Sequence, residues 1–256
     1  MKIAIIADIH ANCTALQATL NDIAKRGCDT VVCLGDIAGK GKLVNECIEL
    51  VKDHCDIVLL GNNDEEVIDT SILTPEHNRY LRQLPYCHEV MMSGRLIRMF
   101  HAGPDTTYNY VNTNPLGSIE DRFKMFMPNK LTLSQHLADV VIYGHVHVQT
   151  MVKFYNRTLV CCGSVGNNLD YVRQKARDGN DLNTTCASYV IIEGVLNSPN
   201  YAPLDIDFVQ VPYDIDKELA LQGITDEQSP LYKELKQGRY RNPARIRHWL
   251  PEDNEL

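Results

Sequence analysis

The stretch KIAIIADIH, residues 2–10, joins an apolar run to two polar side chains of the kind that bind metals. Two further runs of the same kind follow, DTVVCL at 29–34 and DIVLLG at 56–61. Short, continuous apolar runs that end in polar turns are typical of strands buried in a parallel sheet. Apolar side chains recur at helical spacing between the runs, around Leu16 and around Ile48. The first third of the chain therefore predicts repeated strand–helix–strand units.

The chain after residue 85 predicts hairpins instead. Segment 87–100 reads CHEVMMSGRLIRMF, which is two strand-like runs around a two-residue Ser-Gly turn. Segment 152–163, VKFYNRTLVCCG, predicts a second hairpin that turns at Asn156-Arg157. Further strands are predicted at 138–144, 186–193 and 205–212. The later strands are therefore expected to be antiparallel in part.

The length of 256 residues suits a single α/β domain over 1–256, and neither an internal repeat nor a linker divides it. Residues 102–130 are rich in Asn, Thr, Pro, Gly and Tyr and predict a surface insertion or lid, with an amphipathic piece at 118–127. Residues 213–256 carry helical patterns around Leu219 and Leu235. These patterns predict a C-terminal helical tail.

The composition excludes several classes of protein. A formal net charge of −8 argues against a sequence-independent nucleic-acid binder, which needs an excess of lysine and arginine. The chain holds no apolar run of the roughly 18 residues that a membrane helix needs, and its N-terminus shows no small-residue cleavage site. The nine cysteines show no C-x-x-C spacing, which favours reduced thiols. We therefore expect a cytoplasmic protein with no membrane partner and no stable nucleic-acid partner.

Side chains that can bind metals follow the predicted strands at the points where the strands end. They are Asp8, His10, Asp36, Asn62, His101, His145 and His147. The carboxyl ends of parallel strands share one edge of a sheet, so these side chains can meet there. The two members of each D-x-H or H-x-H pair have one residue between them and are expected to project to the same side of a strand end. Taken singly, an Asp is more often a turn or cap residue and a His a satisfied polar group. Their joint occurrence favours a metal site.

Five blocks around these residues resemble the motifs of the calcineurin-like metallophosphoesterases. The blocks are Asp8-Ile9-His10, Gly35-Asp36-Ile37-Ala38-Gly39, Gly61-Asn62-Asn63-Asp64, His101-Ala102-Gly103 and Gly144-His145-Val146-His147. They stand in the order of the family, and Gly163-Ser164-Val165-Gly166 resembles its later glycine turn. Order, length and tail resemble most the small prokaryotic phosphodiesterase-type branch, which includes proteins described as dinucleoside tetraphosphate hydrolases.

The resemblance implies a four-layer αββα sandwich, in which two mixed sheets are flanked by helices. It also implies two divalent metal ions with these ligands: Asp8, His10 and His147 for one, Asn62, His101 and His145 for the other, and Asp36 as the bridge. Carboxylate, imidazole and amide donors together suit Mn²⁺ or Fe, with Zn²⁺ as an alternative. A hydroxide that bridges two such ions would attack a phosphodiester or a nucleotide phosphoanhydride in line.

Asn63 departs from the fuller family motif, which carries at this position a histidine that helps to protonate the leaving oxygen. An amide cannot deliver a proton, and general acid catalysis is worth about 10²–10⁴ in rate. We expect Asn63 to contact the substrate, with Asp64 orienting it, and we expect substrates whose leaving groups depart unprotonated. His77 is a speculative replacement for the missing acid.

Other candidate substrate contacts are weaker. Arg79 and Arg173 could bind substrate phosphates through paired hydrogen bonds, although most exposed arginines only solvate a surface. Tyr108 and Tyr110 could stack on a base, although packing within the insertion is the more frequent role of such side chains.

Three functions stay open on the sequence. The leading hypothesis is a phosphodiesterase or nucleotide-anhydride hydrolase that acts on a small phosphate ester or nucleotide. A non-catalytic interaction scaffold that keeps the fold is the second, and decayed ligands would favour it. A phosphomonoesterase or protein phosphatase is the third, and Asn63 disfavours it. A homo-oligomer is compatible with each of these.

Overall fold

The structure is a computed structural model that describes residues 1–108, 119–169 and 185–238. The strands are β1 (Lys2–Ile6), β2 (Thr30–Cys33), β3 (Ile57–Val58), β4 (Cys87–Met92), β5 (Arg95–Phe100), β6 (Val140–Tyr143), β7 (Gln149–Phe154), β8 (Arg157–Cys162), β9 (Cys186–Gly194) and β10 (Leu204–Pro212). The helices are α1 (Cys13–Lys25), α2 (Val44–His54), α3 (Asn62–Val67), α4 (Pro75–Leu81), α5 (Ile119–Lys124), α6 (Ile215–Leu221) and α7 (Pro230–Gln237).

The strands form two mixed sheets of five strands each. The first sheet has the order β10-β9-β1-β2-β3, and the second has the order β4-β5-β6-β8-β7. In the first sheet β1, β2 and β3 run parallel, while β9 and β10 are antiparallel additions. In the second sheet β5, β6 and β8 run parallel between the antiparallel edge strands β4 and β7. The predictions of parallel strands early in the chain and partly antiparallel strands later are confirmed.

Successive side chains of β1 point to two different layers of the core. Ile6 belongs to a buried cluster with Leu16 of α1 and Ile48 of α2. Ile5 points to the opposite face, as strand geometry requires, and shares a second buried cluster with Ile142 of the other sheet. Both faces of the first sheet are therefore covered, which explains why KIAII is apolar at nearly every position.

The outer face of the second sheet is covered by the turn that follows α5. Phe126 in this turn shares a third buried cluster with Tyr143 of β6. The fully buried guanidinium of Arg98 donates to the carbonyl of Phe126 at 2.9 Å and to the carbonyl of His136 at 2.8 Å, and it pairs with Glu89 at 2.6 Å. These bonds tie the segment onto β5. The implied four-layer αββα sandwich is confirmed.

The two predicted hairpins differ in outcome. Met92 faces Arg95 across the Ser-Gly turn, as predicted. The second hairpin turns at Tyr155-Asn156, because Phe154 already faces Arg157. Tyr155 and Asn156 have φ angles of 47° and 60°, which are the positive values that a two-residue hairpin turn needs. The prediction of a turn at Asn156-Arg157 was therefore wrong by one residue.

The structure describes part of the predicted insertion and part of the predicted tail. Leu219 of α6 and Leu235 of α7 are both buried, and α5 lies within the amphipathic piece predicted at 118–127. Residues 109–118 of the predicted insertion and residues 239–256 of the tail lie outside the described residues. Within the described ranges, the helices are all too short or too polar to cross a membrane.

Candidate metal centre

The loops after the strands, and not the strands themselves, aim the candidate ligands. Strand β1 ends at Ile6, and Asp8 and His10 follow with φ angles of 56° and 52°. His145 and His147 have φ angles of 65° and 66°. Strand alternation was therefore the wrong reason for expecting each pair on one side, because all four residues have left-handed backbone. Such conformations of residues with a Cβ are unfavourable and cluster at functional sites.

The first cluster brings Asp8, His10 and His147 together. One ligand atom of each lies within 4.8 Å of the others. The Nε2 atoms of the two histidines are 2.9 Å apart, and Asp8 Oδ1 lies 3.3 Å from Nε2 of His147. The other ring nitrogens, Nδ1, contact the carbonyl oxygens of Ala38 at 3.2 Å and Asn167 at 2.9 Å. A carbonyl only accepts, so each Nδ1 carries the hydrogen and each Nε2 lone pair faces the cluster.

The second cluster consists of Asp36, His101 and His145, again within 4.8 Å. Asn62 adds its amide oxygen, which lies 3.1 Å from Nε2 of His101 and 2.9 Å from Nδ1 of His145. Asp36 lies between the clusters, since its Oδ1 is 3.4 Å from His101 Nε2 and its Oδ2 is 3.9 Å from His10 Nε2. All seven predicted ligands are therefore brought to one place.

The residues of the first cluster fit a divalent cation. Asp8 is fully buried, and its Oδ2 accepts a hydrogen bond from the backbone N–H of His145 at 2.7 Å. Its Oδ1 accepts no hydrogen bond of good geometry from any described residue. A buried carboxylate oxygen that faces two imidazole lone pairs is costly unless a cation lies between them.

Asp64 holds the loops that carry these ligands. Its buried carboxylate accepts hydrogen bonds from the backbone N–H groups of Asp36 at 2.8 Å, Ala38 at 2.9 Å and Gly61 at 3.1 Å. Gly61 is required by this close approach, because a Cβ added there would lie 2.2 Å from the nitrogen of Asp36. Asp64 therefore fixes the backbone of Asp36. The sequence had predicted only that Asp64 orients its neighbour Asn63.

Comparison with known proteins agrees with this geometry. Residues 1–177 match the model of the calcineurin-like phosphoesterase superfamily domain. The chain belongs to this superfamily. The resemblance stated from the motifs is thereby confirmed, and this phosphoesterase, like its family, uses divalent metals and small phosphate-ester substrates.

Several relatives of the phosphoesterase are similar over most of its length. The uncharacterized protein MJ0912 of Methanocaldococcus jannaschii is 27% identical over 248 residues, which cover 84% of this chain and 89% of that protein. A metallophosphoesterase from Sphaerobacter thermophilus has a TM-score of 0.65 at 22% identity, with 93% of this chain and 99% of that chain covered. The hypothetical protein PH1004 from Pyrococcus horikoshii OT3 has a TM-score of 0.66 at 17% identity, with the same coverage. These structures show the same fold.

Burial and close charges shift the pKa values of the phosphoesterase's carboxylates in opposite directions. Burial raises the pKa of Asp36 to about 8, with the Asp8 carboxylate adding to the effect. Burial likewise raises the pKa of Asp64 to about 7, followed by the charge of Asp36. Burial also opposes ionisation of Asp8, but the histidines around it, His147 first, outweigh burial and hold its pKa below the usual value. In the metal-free protein, Asp8 thus carries the charge.

The pKa of His10 is lowered well below its usual value, mainly by burial and then by His147 and Lys40. Its imidazole is therefore neutral at pH 7 and available as a ligand. The donor set consists of imidazoles, carboxylates and one amide, with no thiolate, which matches a metal centre that takes part in chemistry better than a closed structural zinc site.

Asn63 is hydrogen-bonded to the carboxylate of Asp36. Its side-chain Nδ2 donates to Asp36 Oδ2 at 2.5 Å, and its backbone N–H donates to Asp36 Oδ1 at 2.8 Å. The side chain is partly buried at the edge of the clusters. This position allows an additional contact to a substrate, while its hydrogen bond to Asp36 already gives it a role that the sequence did not predict.

The structure does not bring the weaker candidates to the metal centre. Both ring nitrogens of His77 are held by α2, where Nδ1 contacts Asn45 Oδ1 at 2.6 Å and Nε2 contacts Glu49. These contacts assign His77 to the packing of α4 on α2. Arg79 is exposed on α4, and no ion pair or hydrogen bond joins it to a described residue of the site. Tyr108 donates to Glu66 at 3.3 Å.

Two candidates of the sequence lie outside the described residues, namely Arg173 and Tyr110. Conversely, the sequence analysis missed Glu218 and Gln222 of the tail, which reach the loop after His10. The only sequence signal for them is a pair of polar residues four apart in an amphipathic helical pattern, which is too common to single them out.

Proposed function

We propose that the protein hydrolyses phosphodiester or nucleotide phosphoanhydride bonds with two divalent metal ions, by attack of a hydroxide that bridges them. The observation that carries this proposal is the arrangement of two ligand clusters, with the carboxylate of Asp36 in the second cluster also lying close to His10 of the first. Two ions held in this way would lower the pKa of a bridging water and neutralise the charge that grows on the phosphoryl oxygens. Mn²⁺ or Fe suits the donors best, with Zn²⁺ as an alternative.

The residues of this chain have distinct tasks in the proposal. Asp8, His10 and His147 would hold one ion, and Asn62, His101 and His145 the other, with Asp36 as the shared ligand. The Nδ1 contacts of His10 and His147 to carbonyl oxygens keep both Nε2 atoms deprotonated and aimed inward. Such preorganisation lets the site bind metal and substrate without reorienting its side chains.

The substrate class follows from Asn63. The amide donates to Asp36 and has no proton to give, and His77 is held by α2 away from this role. A reaction that needs protonation of an alkoxide leaving group would lose about 10²–10⁴ in rate without a general acid. A nucleotide phosphate that leaves from an anhydride, or a phenolate that leaves from a diester, needs no such proton. We therefore favour these substrates over phosphomonoesters of alcohols and over phosphoprotein.

A non-catalytic scaffold is the competing function. Loss of ligands would favour it, and the seven ligand candidates of this chain are all present and converge on one site. Nothing else in the described part of the chain favours a scaffold.

The test uses the full chain after chelation and reloading with Mn²⁺. We expect hydrolysis of bis-p-nitrophenyl phosphate and of diadenosine tetraphosphate, with much weaker activity toward phosphomonoesters of alkyl alcohols, whose leaving groups need a proton. The Asp8→Ala variant is the control that retains the fold but lacks a ligand. A protein that binds two Mn²⁺ ions and cleaves neither substrate would contradict the proposal and support the scaffold.

A further inference from the structure

Two side chains, one within α6 and one directly after it, are buried against the loops that carry the candidate ligands, although α6 begins 38 residues after the end of the segment that matches the superfamily. Gln222 directly follows α6 and is 3% exposed, and Glu218 within the helix is fully buried. The Gln222 amide donates from Nε2 to the carbonyl of Ala11 at 2.8 Å, and its Oε1 accepts from the backbone N–H of Lys42 at 2.7 Å. One side chain thus joins the β1–α1 loop, residues 7–12, to the β2–α2 loop, residues 34–43.

The joined loops are the ones that hold His10. The carbonyl of His10 accepts from the backbone N–H of Gly41 at 3.3 Å, and the ring Nδ1 of His10 donates to the carbonyl of Ala38 at 3.2 Å. Gln222 makes its contacts at Ala11 and Lys42, the residues next to His10 and Gly41. Gln222 therefore joins the same two loops whose direct hydrogen bonds orient the imidazole of His10.

Glu218 fixes which way the Gln222 amide points. Its Oε2 accepts from the backbone N–H of Thr14 at 2.8 Å, and its Oε1 accepts from Gln222 Nε2 at 2.7 Å. Gln222 Nε2 thus donates to two oxygens, while Oε1 faces a backbone N–H. A carboxylate at position 222 could replace only the contact to Lys42, and it would face two other oxygens with no hydrogen to donate.

The β2–α2 loop has room for the Gln222 amide because residue 41 is a glycine. A Cβ added to Gly41 would lie 2.7 Å from Gln222 Nε2 and 3.1 Å from the carbonyl oxygen of Ala11. A second contact comes from α7, where the buried Glu234 lies 3.8 Å from the ammonium of Lys40. Both tail helices therefore pack on the loop that follows Asp36.

From these contacts we propose that Gln222 is a positioning residue for the metal ion held by Asp8, His10 and His147. The inference rests on the two-metal centre of the proposed function. Residues that orient metal ligands through hydrogen bonds typically change metal affinity by about 10–100-fold when they are replaced. Gln222→Glu is therefore expected to weaken the first ion by about that factor and to leave the ion held by Asn62, His101 and His145 nearly unchanged.

The experiment titrates Mn²⁺ into metal-free wild type and Gln222→Glu and follows electron paramagnetic resonance. Wild type should bind two ions and show the signal of a spin-coupled pair. Gln222→Glu should bind one ion tightly and show an isolated-ion signal until excess Mn²⁺ is added. His10→Ala provides the reference spectrum of a protein that lacks the first site.

Two further variants separate positioning from folding. Asp214→Ala removes the N-cap of α6, where Asp214 Oδ1 accepts from the N–H of Lys217 at 2.9 Å, but it leaves the loops untouched. It should lower the melting temperature by a few degrees and keep two tightly bound ions. The added Cβ of Gly41→Ala would collide with the Gln222 amide, so this variant should reproduce the Gln222→Glu spectrum. The double variant Gly41→Ala, Gln222→Glu should lose little more affinity than either single variant, because both break the same contact.

Two bound ions of wild-type affinity in both Gln222→Glu and Gly41→Ala would overturn the inference and leave the proposed function intact. Equal weakening of both ions, also seen in Asp214→Ala, would overturn it in favour of general destabilisation. Wild-type protein that binds fewer than two ions would overturn both the inference and the proposed function.

Discussion

Asn63 holds Asp36 by two hydrogen bonds, from its side-chain Nδ2 to Oδ2 at 2.5 Å and from its backbone N–H to Oδ1 at 2.8 Å. The carboxylate that lies between the two ligand clusters is thus oriented by the residue that stands in place of the expected proton donor. In the proposed function, substrate choice and metal geometry are therefore linked at position 63, and substitutions there can separate the two effects.

Asn63→His should supply the missing acid. We expect kcat/KM to rise by about 10–100-fold for diesters with poor leaving groups and to change little for nitrophenyl diesters and anhydrides. The measurement is the slope of log kcat/KM against leaving-group pKa, which should become flatter. Asn63→Gln keeps an amide and is the matched control. A slope that stays the same in the histidine variant would mean that protonation of the leaving group does not limit this enzyme.

Asp36→Ala should remove both ions, because in the proposed function the two ions share this carboxylate. We expect the metal content measured by mass spectrometry after gel filtration to fall from two ions per chain to nearly none. Asp53→Ala changes an exposed aspartate of α2 and should keep both ions. Retention of one tightly bound ion by Asp36→Ala would show that Asp36 is a terminal ligand of one ion and not a bridge.

Substitution by alanine should change the free energy of unfolding differently at two glycines near the candidate ligands. A Cβ at Gly61 would lie 2.2 Å from the nitrogen of Asp36, whereas a Cβ at Gly103 meets its nearest atom at 3.5 Å, an ordinary contact. Gly61→Ala should reduce the free energy of unfolding by about 1–3 kcal/mol through overpacking and weaken metal binding. Gly103→Ala should change stability by less than about 0.5 kcal/mol. Equal effects in urea unfolding would contradict the close packing of the Gly61 loop on Asp36.

The metal-free protein should lose stability as the pH rises from about 4 to about 8. The pKa values of Asp36 and Asp64 are raised from 3.8 to about 8 and about 7, so in this range the folded state binds more protons than the unfolded state. Stability then falls with rising pH, by an amount on the order of a few kcal/mol. The lowered pKa of Asp8 acts in the opposite sense below its usual value of 3.8, and the lowered pKa of His10 does so up to its usual value of 6.5. Two raised carboxyl groups outweigh this one imidazole, and the fall is steepest above pH 6.5.

The measurement is urea unfolding of chelated protein across this pH range, with Mn²⁺-loaded protein as the comparison. Metal ions displace protons from the carboxylates, so the loaded protein should become more stable where the metal-free protein becomes less stable. Metal-free protein whose stability is flat or rises between pH 4 and pH 8 would show that Asp36 and Asp64 are not held in their protonated forms.

The sequence predicted the parts of this molecule that depend on local pattern. The run KIAII marks a strand covered on both faces, and the polar residues that follow several of the strands mark the candidate ligands. The left-handed backbone at Asp8 and His145 could not be predicted, because it is imposed by distant contacts. The N–H of Asp8 bonds to the carbonyl of Gly35 at 3.0 Å, and the N–H of His145 bonds to the Asp8 carboxylate at 2.7 Å.

The roles of Gln222 and His77 escaped prediction for the same reason. Gln222 contacts Ala11 across 211 positions of sequence, and no local pattern reports such a pairing. His77 was considered as an acid because it lies downstream of Asn63, but Asn45 and Glu49 bind its ring from α2. Proximity in sequence was the wrong guide for His77.

The most direct test of the central claim is anomalous diffraction from a crystal of the full chain grown with Mn²⁺. The account predicts two anomalous peaks roughly 3.5–4 Å apart, with Asp36 contacting both and His10 and His101 on opposite sides. A single peak, or imidazoles turned away from the peaks, would contradict the two-metal centre.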